Sequence, residues 1–595
     1  MSLSERRTTY DGFTTIRRGI SSEMSPSLIG VDQVAFAINA SFRSGYPENR
    51  PGLFKIPITG DAFQLGRWQG AHAYIADNGQ PSVIASIGGQ IIRFDPISNQ
   101  STNLSASSGL TNPTNISQVW MTQAESYLLI QDGSSIPLIW NGASLRRAIP
   151  LAFGGSELPV GKMMAYSNGR LWVTLPDQKS FVAGDLAYSI TGTDADVLSF
   201  TENTFLNGGG SFAMPSDAGF IRAMRTVALQ DSTLGQGPLQ VFGDTGTASI
   251  NAPFDRTLWQ NMDSPIQSVS LLSSGPKSQD ATVPVNGDLW FRSQDGVRSF
   301  MVARRDHGTW VNTPLSAEMS RVLKRDNENL LTYASAVDFD NRLLITVSPY
   351  RATVDAVQYG VAHRGIGVLD FNPVGGMFDR GQPAWDGIWT GLKILQILTV
   401  QCSGSVRCFL FALNSTNQIE MWELSKSARY DNLVDPIEWT IESRALGFND
   451  QSEFLKQLER CERWFDQVSG VVTFDISYRP DSFWGWLNLD SGIVCATTDL
   501  CTAPGCSPSS PQIQYRPRKL SAAPENDCEE CVSKPYKMGF EFQFKLKVIG
   551  ASRIRRFRAV ATDVDENTDG GCLGTETCCS ESGCEYDPWS YSASS

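Results

Sequence analysis

The sequence predicts an all-β protein: a β-propeller with an N-terminal arm and a C-terminal β-sandwich-like module carrying one helix. Three observations lead there. Short apolar or aromatic runs recur between Asn-Gly and Asp-Gly turns, at the spacing of strands in an all-β domain. The 52 glycines and 30 prolines among 595 residues leave little room for long helices. Two later stretches alternate between apolar and polar side chains, the period of half-buried strands.

Taken in order, residues 1–58 read as an extended arm ending in a first strand, and 59–432 as the propeller. In the propeller, Ile91–Phe94 precedes Asp95-Pro96, and Tyr127–Ile130 is followed by Asp132-Gly133. Pro137–Trp140 ends on Asn141-Gly142, while Asn168-Gly169 opens Leu171–Val173. Asn286-Gly287, Asp295-Gly296 and Asp340-Asn341 punctuate the next strands in the same way. Such pairs supply the positive φ values that two-residue hairpins require. Four-stranded blades around an axis fit this rhythm, six to eight of them in the usual range. A pair of β-sandwiches shares the same strand and turn chemistry. Ser316 is placed to cap a short helix through Arg325, with Met319, Val322 and Leu323 on one face.

The character changes over 433–562. Glu438–Arg444 reads as a strand. Asp450 and Glu453 have capping-box spacing, and Phe454, Leu458, Cys461 and Phe465 follow at helical spacing, which predicts one helix. Val472, Phe474, Ile476 and Tyr478 then alternate with polar residues, as do Phe540, Phe542, Phe544, Leu546 and Val548. Residues 563–595 form an acidic tail. After Arg558 no Lys or Arg occurs, so the tail reads as solvated chain.

The net charge is −13. Gripping nucleic acid by its phosphates takes a Lys/Arg surplus, so tight DNA or RNA binding is not expected. No segment approaches the roughly 18 consecutive apolar residues of a membrane span. Arg6 and Arg7 have no apolar stretch behind them, so no secretory or twin-arginine signal is expected and synthesis is placed in the cytoplasm.

Catalytic constellations are not legible. His72, His307 and His363 have no partner at metal-ligand spacing and read as surface or turn residues. Gly208-Gly209-Gly210 lacks the Lys-Ser/Thr sequel of a phosphate loop. Asp194 and Asp196 are a common loop pair, insufficient to nominate a glycosidase. Asp563, Asp565, Asn567 and Asp569 resemble a calcium loop, but Thr568 stands where the turn glycine belongs. No cofactor, resident metal or catalytic residue is expected.

All 12 cysteines lie at Cys402 or later. Cys495, Cys501, Cys506, Cys528 and Cys531 share one loop-rich stretch. Cys501-x4-Cys506 with Cys528-x2-Cys531 offers four thiolates to zinc, while structural disulfides and free thiols are the rival readings. Cys402 and Cys408, across a hairpin, are a separate disulfide candidate.

Two stretches look familiar. Gly19-Ile20, Ser25–Ile29, Asn39 and Gly45–Phe54, closing on Arg50-Pro51-Gly52, resemble the opening of phage tail nozzle proteins, the tail tubular B type of short-tailed phages. Glu442–Gly447, Tyr478–Asp481 and Tyr515–Arg518 look like a C-terminal module of large phage structural proteins. Together they cover roughly a quarter of the chain. The resemblance implies a homohexameric ring of propeller-bearing subunits that extends the DNA channel of the virion, retains the genome and then delivers it. Its partners would be an adjacent tail adaptor and fibre or spike proteins, with DNA passing through the lumen and no insertion into a membrane. Arg17, Arg18, Arg50, Pro51 and Gly52 are then the candidate assembly residues. The Cys-rich loop departs from the pattern, so a ring or hub of another tail type fits as well. Two other readings stand beside it. One is a receptor-engaging tail protein that meets a host glycan through Phe483, Trp484 and Trp486 beside Pro480. The other is a glycan depolymerase on a propeller scaffold.

Overall fold

A computed structural model of the chain describes residues 8–61, 63, 66–149, 157–186, 198–199, 210–227, 237–250, 266–271, 274–301, 314–354, 357–371, 383–448, 454–481, 483–496, 513–514, 518–524 and 537–563. Its small sheets form a five-bladed β-propeller, fewer blades than the six to eight expected. Two of the three Asn-Gly turns named above act as the sequence predicts, whereas Asn141-Gly142 lies in a four-residue loop between facing Trp140 and Leu145, with Gly142 alone at positive φ. Asn168 and Gly169 sit at φ 52° and 72°, and Asn286 and Gly287 at 50° and 81°. Each pair closes a two-residue hairpin, Ser167 facing Arg170 and Val285 facing Asp288.

The strands Trp68–Ile75, Trp120–Ala124, Met164–Ser167, Ala223–Thr226 and Thr282–Val285 each begin the antiparallel run of their own blade and pack against one another in turn. An inner strand of this kind has one edge with no ladder neighbour, and its backbone groups there need other partners. Glutamine side chains supply them, because a primary amide offers one acceptor and a donor pair, much as a peptide unit does. Gln123 accepts from the Ile75 N–H at 3.0 Å and donates to its carbonyl at 2.7 Å. Gln279 accepts from Met224 N–H at 2.7 Å and donates to the carbonyls of Met224 and Met164 at 3.0 and 3.2 Å.

The ring is closed by a larger sheet. Its strand Ala336–Phe339 packs on Thr282–Val285, and Ala384–Cys402 packs on Trp68–Ile75. Here Gln396 repeats the device, accepting from Ala71 N–H at 2.8 Å and donating to its carbonyl at 2.9 Å. Each blade junction buries its own apolar cluster. Trp68, Phe94, Phe409 and Phe411 fill the closing junction, and Phe242, Phe291 and Phe300 that between the last two blades.

The larger sheet runs as antiparallel neighbours from Ala336 to Leu424 and continues through Glu438–Ser443, Lys456–Pro480, Leu487–Cys495 and Phe542–Asp563. The arm joins it. Thr8–Phe13 pairs with Phe557–Thr562, Val34–Ile38 with Thr440–Ser443, and Leu53–Lys55 with Trp422–Leu424. One core spans Phe13 through Phe42, Trp439, Phe465 and Phe557.

The helix expected from Phe454 to Phe465 is a strand. Lys456–Pro480 is continuous β structure, broken by register shifts at Leu458/Arg460, Trp464/Phe465, Asp466/Ser469 and Ser469/Thr473. Three of these shifts put extra residues on this strand and the one at Trp464/Phe465 puts one on its partner, so a period of two does not hold along it. Buried Leu458, Cys461, Phe465, Val468 and Val472 thus fall three and four apart, which imitates a helix. The Ser316 segment does turn helical at Ala317–Met319 and Ser320–Leu323, with Met319, Val322 and Leu323 buried. Ser316 does not cap it; its hydroxyl accepts from Val297 N–H instead.

Gln396→Leu removes, at similar volume, the only side-chain partner of the Ala71 backbone pair among the described residues. Two buried groups left unpaired should cost on the order of 2–4 kcal/mol, read as a lower urea midpoint with unchanged slope. A change within a few tenths would mean that water replaces the amide.

Candidate functional site

Asn39, Arg50 and Gly52, three of the residues that carry the phage resemblance, meet at one joint between the arm and the larger sheet. Arg50, expected to dock on a neighbouring subunit, is instead buried. Its guanidinium grips Asp431 through Nη1 and Nη2 at 2.8 and 2.9 Å, while Nε donates to Asn39 Oδ1 at 3.2 Å and Nη1 also to the Pro51 carbonyl at 2.9 Å. Planar bidentate pairing of this kind fixes geometry as well as charge. Asn39, left-handed at φ 53°, donates to the Glu438 carbonyl at 3.0 Å and accepts from Thr390 N–H. Gly52 lies flat on the Tyr430 carbonyl, where a Cβ would come within 1.9 Å of the oxygen. Arg17 and Arg18 are exposed.

A second cluster, missed in the sequence, anchors the arm at Ser41–Arg43. Arg43 bonds Asp340 Oδ2 at 2.5 Å and Asp370 Oδ2 at 2.7 Å, and Arg342 reaches the same two oxygens at 2.9 and 3.1 Å. Buried Asp386 accepts from the Ser41 hydroxyl and from Phe42 N–H, both at 3.1 Å. Burial, with Asp370 beside it, pushes the Asp386 carboxyl up to about 7.

The cysteine candidates separate. Cys402 and Cys408, expected as a disulfide, are buried free thiols. Cys402 pairs across the hairpin with Ser405 and Cys408 with Thr399, and their side chains enter different cores on opposite faces of the sheet. Cys461 is likewise free, and burial pushes it up to about 11. Cys495 is disulfide-bonded. Cys501, Cys506, Cys528 and Cys531 lie outside the described residues, as do His307, Asp194, Asp196 and the tail after Asp563.

His363, expected at the surface, is buried in Val357–Asp370 with Nδ1 at 3.2 Å from the Ile394 carbonyl, and burial lowers it to about 4. His72 sits in the first inner strand and is lowered to about 4 for the same reason. Among the described residues no three His, Cys, Asp or Glu gather as metal ligands, and no helix is long and apolar enough to cross a membrane.

The aromatic loop divides. Trp486 is half-buried, with Arg479 over its ring at 4.6 Å and Lys545 at 5.6 Å. Trp484 is 84% exposed, its ring 6.1 Å from that of Phe483. Beside them Arg479, Pro480, Asp481, Phe483, Glu541 and Ser27 help line a cavity of about 300 Å³.

No family model matches the chain, and no curated protein matches it. Among solved structures it is similar to a chain of the mitotic checkpoint complex, at 9% identity and TM-score 0.35 over 63% of this chain and 92% of that one. It is similar to a chain of the complex of BBS1N with ARL6DN, at 12% identity and TM-score 0.25 over 42% and 67%. The computationally designed Ika8 protein matches at 10% identity and TM-score 0.29 over 63% and 100%. At such TM-scores these likenesses carry no argument about function.

Two outcomes are expected. A carboxyl raised above its unfolded value of about 3.9 contributes stability in full below about pH 4 and loses it as pH climbs towards its folded pKa. Asp386→Asn keeps an acceptor for Phe42 N–H without a charge to bury. Its melting temperature should therefore gain on the parent as pH rises from about 4 to about 7 and hold that gain above; a pH-independent difference would mean that Asp386 is ionised throughout. In native protein treated with iodoacetamide, mass spectrometry should find Cys402, Cys408 and Cys461 unmodified, and labelled once unfolded. Cys495 should label only after reduction.

Proposed function

We propose that this chain is a non-catalytic structural subunit of a phage tail, working in the virion as a homo-oligomeric nozzle or hub ring that extends the DNA channel. The observation that supports the reading is the joint at Asn39, Arg50 and Gly52. Asn39, Arg50 and Gly52, part of the motif that resembles the nozzle family, are residues that lock the arm to the larger sheet. A likeness in positions that determine the fold weighs more than one in exposed loops, where composition drifts freely.

Charge supports the same reading. A net −13 disfavours tight phosphate contact, so DNA can traverse a lumen without being held. Arg50 is spent within the chain, which leaves exposed Arg17 and Arg18 as the arm's candidates for meeting an acidic neighbour. Cyclic closure of identical subunits is the common route to such rings. A tail adaptor on one side and fibre or spike proteins on the other are the partners this role requires.

Light scattering on the purified protein, with negative-stain images of the same sample, tests it. The expected result is a mass that is a multiple of 65.2 kDa, six-fold for a hexamer, and closed rings with a central hole. A monomer at every concentration, with no rings, overturns it.

A further inference from the structure

Strands Lys456–Pro480 and Phe542–Asp563 turn Cys461, Phe465, Phe557 and Ala559 into the core and carry surplus positive charge on their other face. Three cations converge there on one carboxylate. Arg558 Nε donates to Glu462 Oε2 at 2.9 Å, and Lys519 Nζ and Arg460 Nε reach Oε1 at 3.2 and 3.3 Å. Arg556 is exposed and has no carboxylate partner among the described residues. It lies over the half-buried Trp464 ring, 5.5 Å from the centroid, with Lys519 and Arg558 at 5.6 and 5.7 Å from the same ring. Like charges gathered so closely repel one another, which favours the arrival of a counter-anion.

A groove of about 280 Å³ opens beside this face, with Arg556, Arg558, Tyr10, Val31, Asp11 and Asp32 in its lining. Tyr10 is 47% exposed and Val31 69%. Asp11 is paired with Arg444 and accepts the Phe448 N–H, whereas Asp32 is uncommitted. Glu459, on the neighbouring strand, accepts the Thr562 hydroxyl at 3.2 Å. With exposed Arg555 beside Arg556, five cations stand against Glu459, Glu462 and Asp32.

We propose that this face is the docking site of the chain's own acidic tail, with Glu585–Trp589 seated against Trp464 and the groove. Residues 564–595 contain seven Asp and Glu and no Lys, Arg or His. Glu585-Tyr586-Asp587-Pro588-Trp589 intersperses two carboxylates with two rings, which suits free guanidinium groups beside exposed Tyr10 and Val31. The tail also begins on the strand that bears the cations. Asp563 lies about 23 Å from Arg556 along extended chain. Residues 564–584 can span up to roughly 70 Å, enough to double back, and Gly570-Gly571 is a turn signal on the way. Tethering raises the local concentration into the millimolar range, an advantage that an acidic segment of another chain lacks. Nucleic acid would meet the same cations against the field of a chain of net charge −13. Seated there, the tail offsets the surplus charge and covers the seam between Thr8–Phe13 and Phe557–Thr562. The contact lies within one chain, so it holds whether or not the subunits close into a ring.

Carbodiimide coupling of the full chain tests this. The reagent joins a lysine amine to an adjacent carboxylate as an amide and takes up the water released. No Lys or Arg follows Arg558, so trypsin frees 559–595 as one peptide. After reduction of disulfides, that peptide should be found joined to the one containing Lys519, in product of single-chain mass and several-fold more than to Lys547 farther up the same strand. The yield should fall at least about fivefold in about 0.5 M salt and in Arg556→Gln. Coupling of Lys519 to Glu462, 3.2 Å away in the folded chain, reports that the variant is folded. Absence of the conjugate with 559–595 overturns the proposal, as does coupling to Lys547 as strong as to Lys519. So does a yield that neither salt nor Arg556→Gln lowers. Coupling found only in product of doubled mass also overturns it, and places the tail on a neighbouring copy.

Discussion

A propeller sets itself one backbone problem: the inner strand of every blade has an edge with no strand to pair with. Water can serve such an edge only where it reaches, and the junctions here are packed with apolar side chains. Glutamine amides resolve the conflict, each presenting a donor and an acceptor to a neighbour's peptide group. Gln396 joins the larger sheet to the first blade, Gln123 the second blade to the first, and Gln279 the start of the fifth blade to the fourth and third. The blades' apolar clusters then provide bulk cohesion, while the amides set the offset between one blade and the next. The larger sheet belongs to the same scheme, since Gln396 projects from it onto Ala71 as the other two do within the propeller.

Much of this was legible from local chemistry. Asn168-Gly169, Asn286-Gly287 and Asp340-Asn341 adopt positive φ at both turn positions. Val472 through Tyr478 and Phe542 through Val548 bury alternate side chains as their spacing predicts. What escaped depends on distance or on irregularity. The bulged strand Lys456–Pro480 spaces its buried residues three and four apart, so periodicity alone reports a helix. Cys402 and Cys408 look paired in sequence, yet hairpin register turns them to opposite faces. Blade number was not countable either, because long strands of the larger sheet, with a different rhythm, close the ring.

The arm joint was legible as a motif and illegible as a mechanism. Arg50 and Asp431 are 381 residues apart, and Arg43 and Asp370 are 327 apart. No spacing rule connects them. Burying such charges is costly unless each finds its partner, so the pairs constrain the arm to one register more than they add stability. The exposed Trp484 loop is the reverse case. Its residue types stood out in the sequence, and the structure adds that Trp484 is exposed while Trp486 lies half-buried against Arg479.

The pairing of Thr8–Phe13 with Phe557–Thr562 has a consequence in time. The first described strand of the chain can hydrogen-bond only to one of the last, with Thr9 and Ala561 separated by 552 residues. At about 5–20 residues per second, a ribosome needs on the order of half a minute to two minutes to deliver the second after the first. The blades, built from neighbouring segments, can form in sequence during that interval while the arm waits without its partner. Seating of the arm thus becomes a closing step that only a fully synthesised chain can complete, and a prematurely ended one would carry a bare strand edge open to other chains.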